Sequence, residues 1–467
     1  MTPKKSHEPP AAARPGVLSM IGGTPMVEIT GIDTGRCRLW VKLESQNPGG
    51  SIKDRIALSM IETAEREGRL APGATIIEAT AGNTGLGLAL VAARKGYRLV
   101  LVVPDKMARE KILHLKALGA DVRITRSDVG KGHPEYYQDI AHRLAAEIPD
   151  AFYVNQFENP ANPLAHETTT GPEIWQQMGG RIDTFVCGVG SGGTLTGIGR
   201  FLRKVSPKTE IVLADPAGSV LAPLVESGRK VEAGSWAVEG IGEDFVPANC
   251  DLSLVSRAYT ITDQESFETA RDLLTKEGIL AGSSSGTLVA AALRYCREQT
   301  VPRNVATLIC DSGNKYLTKV FNDFWLLEQG FVRRPERGTV SDLVTRRYDQ
   351  GGTITVGPDD TLRTAYSRMR AADVSQLPVV EDGRIAGLID ESDLLRRLLA
   401  DGDGDPFARP VSDAMVRQLQ TLDAGAPIEA LHPVFAADRV AIVTEGDRFL
   451  GLVTRVDLIN HLRLRQS

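Results

Sequence analysis

Lys53 is the residue in this chain with the clearest route to covalent chemistry. It stands in the stretch Asn47-Pro48-Gly49-Gly50-Ser51-Ile52-Lys53-Asp54-Arg55. A lysine amine becomes nucleophilic when desolvation lowers its pKa, and it then forms Schiff bases with carbonyl compounds. Pro48, Gly49 and Gly50 make a tight polar turn. The spacing of Ile56, Ala57, Met60, Ile61 and Ala64 predicts a helix that begins near 51–54 with one apolar face. Lys53 therefore stands at a loop–helix junction beside small residues, where an amine can reach the mouth of a pocket. On spacing alone, a solvated lysine in a first helical turn is the commoner outcome. The remainder of the chain decides between the two.

Five further segments carry polar groups at suggestive spacing. Thr80-Ala81-Gly82-Asn83-Thr84-Gly85 follows the apolar run TIIEA. Its glycines let a ligand approach the backbone, and Thr80, Asn83, Thr84 and the next helix N-terminus offer donors to an anion. A plain strand–helix turn capped by Thr fits this segment about as well. Asn155-Gln156-Phe157 leads to Asn159, Asn162 and His166, and a structural role is the expectation for His166. Gly190-Ser191-Gly192-Gly193-Thr194, after TFVCGV and before a helix, would aim successive backbone N–H groups and a helix dipole at one spot, which makes a phosphate cup. A dinucleotide-binding reading is encouraged by Asp215, but Leu195 occupies the third glycine position of GxGxxG. Gly240-Ile241-Gly242-Glu243-Asp244-Phe245 is a fourth loop. Ala281-Gly282-Ser283-Ser284-Ser285-Gly286 is the fifth, and a Ser-rich helix cap explains it as readily by itself.

These loops need a scaffold, and the bulk numbers permit one. The chain has 467 residues, suited to two or three domains, with 42% hydrophobic and 24% charged residues. The net charge of −5 without a strongly basic run speaks against nucleic acid as a partner. No apolar run is long enough to span a membrane. Residues 1–16 are rich in Pro and Ala, lack the apolar core of a signal peptide and are predicted to be disordered. Cys37, Cys187, Cys250, Cys296 and Cys310 are dispersed without CxxC spacing, which points to free thiols in the cytoplasm and to no metal site. Strands are predicted at Thr75–Glu78, Leu99–Val103, Asp121–Thr125, Thr184–Val189, Glu210–Ala214 and Val305–Ile309. Helices such as 108–118 and 136–147 lie between them. Alternating strands and helices build a mostly parallel sheet that binds ligands at its carboxyl edge, and each loop above is expected just after a strand.

Between about residue 20 and residue 330 these motifs together resemble the fold-type II (tryptophan-synthase-beta-like) enzymes that use pyridoxal 5′-phosphate. The cystathionine beta-synthases are the nearest in pattern and the cysteine synthases next. The resemblance implies an α/β catalytic domain over 17–332 with parallel-rich sheets, in which Lys53 carries the cofactor as a Schiff base. It implies that Gly190, Ser191, Gly192, Gly193 and Thr194 hold the phosphate, that Asn83 bonds the ring hydroxyl and that Ser284 faces the pyridine nitrogen. A neutral hydroxyl there makes a mild electron sink, suited to β-elimination. Thr80, Ala81, Asn83, Thr84 and Gln156 would clasp the amino-acid carboxylate, with Gly240 and Glu243 lining the pocket. Many members have Tyr at the position of Glu243, so that residue either meets the amino group of a second substrate or faces solvent. Animal members hold a haem through a Cys and a His near the N-terminus. Here no cysteine precedes Cys37 and His7 stands alone, so no haem is expected.

After a charged linker at 333–339 the chain repeats itself. Gly387-Leu388-Ile389-Asp390-Glu391-Ser392-Asp393-Leu394 recurs as Gly451-Leu452-Val453-Thr454-Arg455-Val456-Asp457-Leu458, and Val340-Ser341-Asp342 recurs as Val411-Ser412-Asp413. The pattern resembles a tandem (Bateman) pair of CBS domains, at 340–400 and 411–467. In that family a Thr or Ser three residues before an Asp grips a ribose. Thr454 and Asp457 fit, whereas Asp390 replaces the hydroxyl residue in the first copy. The ligand this implies is an adenosine-containing effector such as S-adenosylmethionine, and a purely structural or oligomerising module is the alternative. As a whole the resemblance implies β-replacement joining L-serine to L-homocysteine, with hydrogen sulfide production from the same site, in a homodimer or homotetramer. A cysteine synthase using O-acetylserine and sulfide is the nearest alternative, and a non-enzymatic nucleotide-sensing scaffold is the alternative of another class.

Overall fold

Burial follows the helical spacing read around Lys53. Ile56, Ala57, Met60, Ile61 and Ala64 are all fully buried on one face of the helix Lys53–Arg66. The structure, a computed structural model, describes residues 14–80, 82–105, 107, 109–130, 132–332, 337–399 and 405–466. It divides into two units, one running to Phe321 and one starting at Asn322.

In the first unit the strands are β1 (Met26–Glu28), β2 (Arg38–Leu43), β3 (Thr75–Ala79), β4 (Arg98–Pro104), β5 (Asp121–Thr125), β6 (Ala151–Tyr153), β7 (Thr184–Cys187), β8 (Glu210–Pro216), β9 (Arg257–Ile261) and β10 (Asn304–Ile309). They form a six-stranded sheet ordered β1-β2-β10-β7-β8-β9 and a four-stranded sheet ordered β5-β4-β3-β6. Only β1 runs antiparallel. Central strands buried on both faces read as unbroken apolar runs, which is why β3, β4, β7 and β8 were legible. β2 and β9 mix charged and aromatic residues with apolar ones and escaped the pattern.

The expectation that every loop follows a strand holds for 80–85 after β3, 155–156 after β6 and 190–194 after β7. It fails for 240–245, which lies between the helix Leu221–Ser227 and β9, and for 281–286, which follows the helix Asp263–Glu277. Both reach the sheet edge by packing on loops that do leave strands. A Cβ on Gly190 would lie 2.5 Å from the carbonyl oxygen of Gly240. Ala281 bridges to Ser312 in the loop leaving β10.

The second unit repeats one plan twice, each copy with its own apolar core. In the first copy the helix Leu362–Ala372 is followed by the hairpin β11 (Gln376–Glu381) and β12 (Arg384–Asp390) and by the helix Glu391–Leu399. In the second, the helix Leu431–Ala436 is followed by β14 (Ala441–Glu445), β15 (Arg448–Val453) and the helix Arg455–Gln466, with β13 (Thr421–Asp423) parallel to β14. The helix Asp323–Glu328, read from sequence as the end of the catalytic domain, packs on Arg455–Gln466 within this unit. Among the described residues no helix is long and apolar enough to cross a membrane.

Candidate active site

Lys53 takes the first position of its helix because the preceding turn is pinned on two sides. The side chain of Asn47 accepts from the Gly22 N–H at 2.8 Å and donates to the Glu44 carboxylate at 2.8 Å. Beyond the turn, the chain pairs with the loop leaving β10. The Ile52 N–H donates to the Cys310 carbonyl at 2.9 Å, and the Ser312 N–H donates to the Gly50 carbonyl at 3.1 Å. Two residues on, Arg55 is buried in ion pairs with Glu44 and Glu173, both at 2.7 Å, which lock the first helical turn. Lys53 is half-buried, and its charge acts on His166, Cys187 and Cys310. Those residues come from three separate segments, and Lys53 itself starts the helix whose preceding turn pairs with the loop leaving β10.

The glycine loop after β7 has the shape of an anion cup. Gly192 has a φ of 83°, open to glycine, and a Cβ there would press on Cys250. A Cβ on Gly193 would lie 1.9 Å from Asn162 Oδ1. Asn162 ties this loop to the amide segment: its Nδ2 donates to Ser191 Oγ at 2.9 Å and to the Gln156 carbonyl at 2.8 Å. Thr194 Oγ1 lies 3.2 Å from His166 Nε2, and Thr170 Oγ1 meets Nδ1 of the same ring at 2.9 Å. Burial, then the charges of Lys53 and Arg55, hold His166 well below its ordinary pKa, so it is neutral. His166 is thus the buried support of the cup, consistent with the structural role expected of it.

The loop after β3 closes over the same edge. Thr80 Oγ1 accepts from the Gly82 N–H at 3.2 Å, and Thr84 Oγ1 donates to Gln156 Oε1 at 2.6 Å, joining two residues named from sequence as carboxylate binders. Ala81 lies outside the described residues. The three serines of 283–285 are told apart by their bonds. Ser283 Oγ accepts from the Glu239 N–H and Ser285 Oγ from the Cys310 N–H, which leaves Ser284 facing the Cys310 thiol. Gly240 meets the cup at Gly190. Glu243 is half-exposed, with its backbone tied to Ser219 and Val220.

Sequence reading missed a buried polar network beside these loops. Glu239 pairs with Lys111 at 2.6 Å and with Lys319 at 2.7 Å. Burial works to raise the Glu239 pKa, but the two lysines outweigh it and hold the carboxyl below its ordinary value. Lys111 also donates to the Tyr316 hydroxyl at 3.1 Å, and Tyr316 donates to Asp311 Oδ2 at 2.6 Å. Asp311 Oδ2 accepts from Asn83 Nδ2 at 2.7 Å, and Asn83 Oδ1 accepts from Lys315 at 2.8 Å. The available signal was the loop after β10, whose Asp311-Ser312-Gly313-Asn314-Lys315-Tyr316 follows a strand in the same way as the recognised motifs.

In the second unit Asp457 Oδ2 accepts from the backbone N–H and the hydroxyl of Thr454, at 2.7 and 2.6 Å. The first copy has the same helix cap built from two carboxylates: the Asp390 N–H donates to Asp393 and the Asp393 N–H to Asp390. Two carboxylates therefore stand where the second copy has one carboxylate and a hydroxyl.

Comparison with known proteins follows the same division. Residues 17–311 match the family described as pyridoxal-phosphate dependent enzyme, and residues 340–400 and 411–464 match the CBS domain. Cystathionine beta-synthase from Oryctolagus cuniculus is 38% identical over 97% of this chain and 85% of its own. Cysteine synthase A from Escherichia coli is 43% identical over 65% of this chain and 94% of its own. The crystal structure of a hydrogen sulfide-producing enzyme from Fusobacterium nucleatum superposes with a TM-score of 0.61 at 39% identity, covering 65% of this chain and all of that one.

Proposed function

The chain belongs to the cystathionine beta-synthase family of pyridoxal-phosphate dependent enzymes, and on that basis we propose that it condenses L-serine with L-homocysteine to cystathionine. The observation that carries this reading is the meeting of Lys53, the Gly190–Thr194 cup, the Asn83–Thr84 loop and Gln156 at one sheet edge, on a chain that also has the tandem C-terminal pair. The residues present fit the cofactor. A half-buried lysine stands ready for its aldehyde, and the cup is so tight around Gly190 and Gly193 that no side chain could replace hydrogen there.

When bound, pyridoxal phosphate supplies an electron sink conjugated to the substrate α-carbon. Gly190–Thr194 would hold its phosphate through backbone N–H groups, Asn83 would hold the ring hydroxyl, and Ser284 would offer the pyridine nitrogen a neutral hydroxyl. Thr80, Ala81, Thr84 and Gln156 orient the serine carboxylate. Lys53 Nζ would take the α-proton and hand a proton to the departing β-hydroxyl. Glu239, with its two lysines, lies next in the chain to Gly240, on the loop we assign to the thiol substrate. Glu243 borders the same loop.

Further parts of the reading extend beyond the reaction itself. The protein works in the cytoplasm as a homodimer or homotetramer. The Thr454–Asp457 cleft takes an adenosine-containing effector such as S-adenosylmethionine. This reading includes no haem.

Product identification by mass spectrometry tests the reaction. Holoprotein given serine and homocysteine should release cystathionine, and Lys53→Ala should abolish both the yellow colour and the product. Cysteine formed only from O-acetylserine and sulfide would make the chain a cysteine synthase. A protein that stays colourless with added pyridoxal phosphate would overturn both readings.

A further inference from the structure

We propose that Lys315 is a positioning residue that fixes the Asn83 amide and sets a buried positive charge beside the group Asn83 grips. The inference rests on the cofactor reading above. Lys315 is only 8% exposed. Its ammonium makes three bonds: to Asn83 Oδ1 at 2.8 Å, to the Gly49 carbonyl at 3.1 Å and to the Gly50 carbonyl at 3.2 Å. Three acceptors satisfy the three N–H bonds of a protonated lysine, so the site is built for the charged form. Burial pulls the Lys315 pKa down to about 8, against the support of Asp311 and Asp54.

The two ends of the Asn83 amide meet opposite charges. Lys315 lies at its oxygen, and Asp311 Oδ2 lies 2.7 Å from its nitrogen. A flipped amide would set its oxygen against the carboxylate and its nitrogen against the ammonium. One orientation of the amide is therefore imposed. The same lysine joins the Gly49–Gly50 turn, which delivers Lys53, to the first residue of the helix Asn83–Lys95. It thereby couples the placement of the covalent amine to the placement of the ring-binding amide. A cation bonded to the Asn83 amide would favour the ionised form of a hydroxyl held by that amide. The ligand chemistry is the ring hydroxyl of pyridoxal phosphate, which Lys315 holds deprotonated.

The test compares wild type, Lys315→Met, Lys315→Gln and Lys315→Arg, each loaded with pyridoxal phosphate. Cofactor content is measured after alkaline release, and absorption is followed against pH. In Lys315→Met and Lys315→Gln, intensity should move from the yellow band to the near-ultraviolet form with a protonated hydroxyl. The ratio of the two bands should change about tenfold or more, and the pH midpoint at which the yellow form loses its proton should rise by about one unit or more. Lys315→Arg, which keeps the charge, should stay close to wild type. A variant that fills with cofactor yet keeps the wild-type spectrum and midpoint overturns the inference. Because Lys315→Gln keeps a donor, it remains informative if Lys315→Met fails to fold. A wild-type protein that never turns yellow refutes the cofactor reading itself, a distinct result.

Discussion

Replacing Glu78 with Gln should remove a pH dependence that the fold imposes on this protein. Glu78 is fully buried in β3, two residues before Thr80. Neither of its oxygens has a hydrogen bond of good geometry, although the backbone N–H groups of Gln156, Ala79 and Asn155 surround the carboxyl. Burial dominates and raises its pKa from 4.5 to about 8. The folded chain therefore keeps the proton at pH values where the unfolded chain has lost it. Stability must fall as pH rises between those two values and level off outside them. At ~1.36 kcal/mol per pH unit, the loss is roughly 3 kcal/mol at neutral pH and roughly 5 kcal/mol once both states are ionised. Gln has the shape of the neutral acid and cannot ionise. Urea unfolding of both proteins from about pH 5 to about pH 9 reads the difference directly. The gap should open in favour of Glu78→Gln by about 3–5 kcal/mol across that range. A constant offset would only reflect packing. A gap that does not change with pH would show that Glu78 is not a buried neutral acid.

Three further outcomes follow from the geometry. Gly193→Ala puts a methyl onto Asn162 Oδ1 and breaks the bridge from Ser191 to Gln156, so it should cost about 3 kcal/mol in thermal stability and weaken pyridoxal phosphate binding measured by dialysis, whereas Gly180→Ala, far from the cup, should leave that binding unchanged. Glu239→Gln leaves Lys111 buried without its counter-charge, which should lower the unfolding free energy by about 3 kcal/mol and raise KM for the thiol substrate. Asp457→Ala removes the acceptor of the Thr454 N–H, which should cost about 1 kcal/mol as a lost helix cap and abolish the melting shift produced by S-adenosylmethionine, while Asp393→Ala should leave that shift intact.

The local motifs of this chain were legible because short-range chemistry writes them. Lys53 stands behind a Pro-Gly-Gly turn and ahead of a regular apolar face, and both survive in the fold unchanged. The cup at 190–194 shows in the sequence as a run of glycines, and the repeat in the last third of the chain is visible as repetition. What sequence could not decide was which distant residues complete the site. Lys315 lies 232 positions beyond Asn83 and Glu239 lies 128 beyond Lys111, yet each pair is in hydrogen-bond contact. Nothing local marks these side chains, because a lysine bound for the interior has the same neighbours in sequence as one bound for solvent. Only the stacking of parallel strands, which brings the loop after β10 against the turn before Lys53, desolvates Lys315 and gives it partners. The same applies to the three serines at 283–285. Resemblance singled out Ser284 among three adjacent hydroxyls, and the tertiary bonds of Ser283 to Glu239 and Ser285 to Cys310 give the other two separate partners. Short-range spacing determined which segments could carry the chemistry, and long-range packing decided which charges lie buried beside them, since burial is a property of the whole fold.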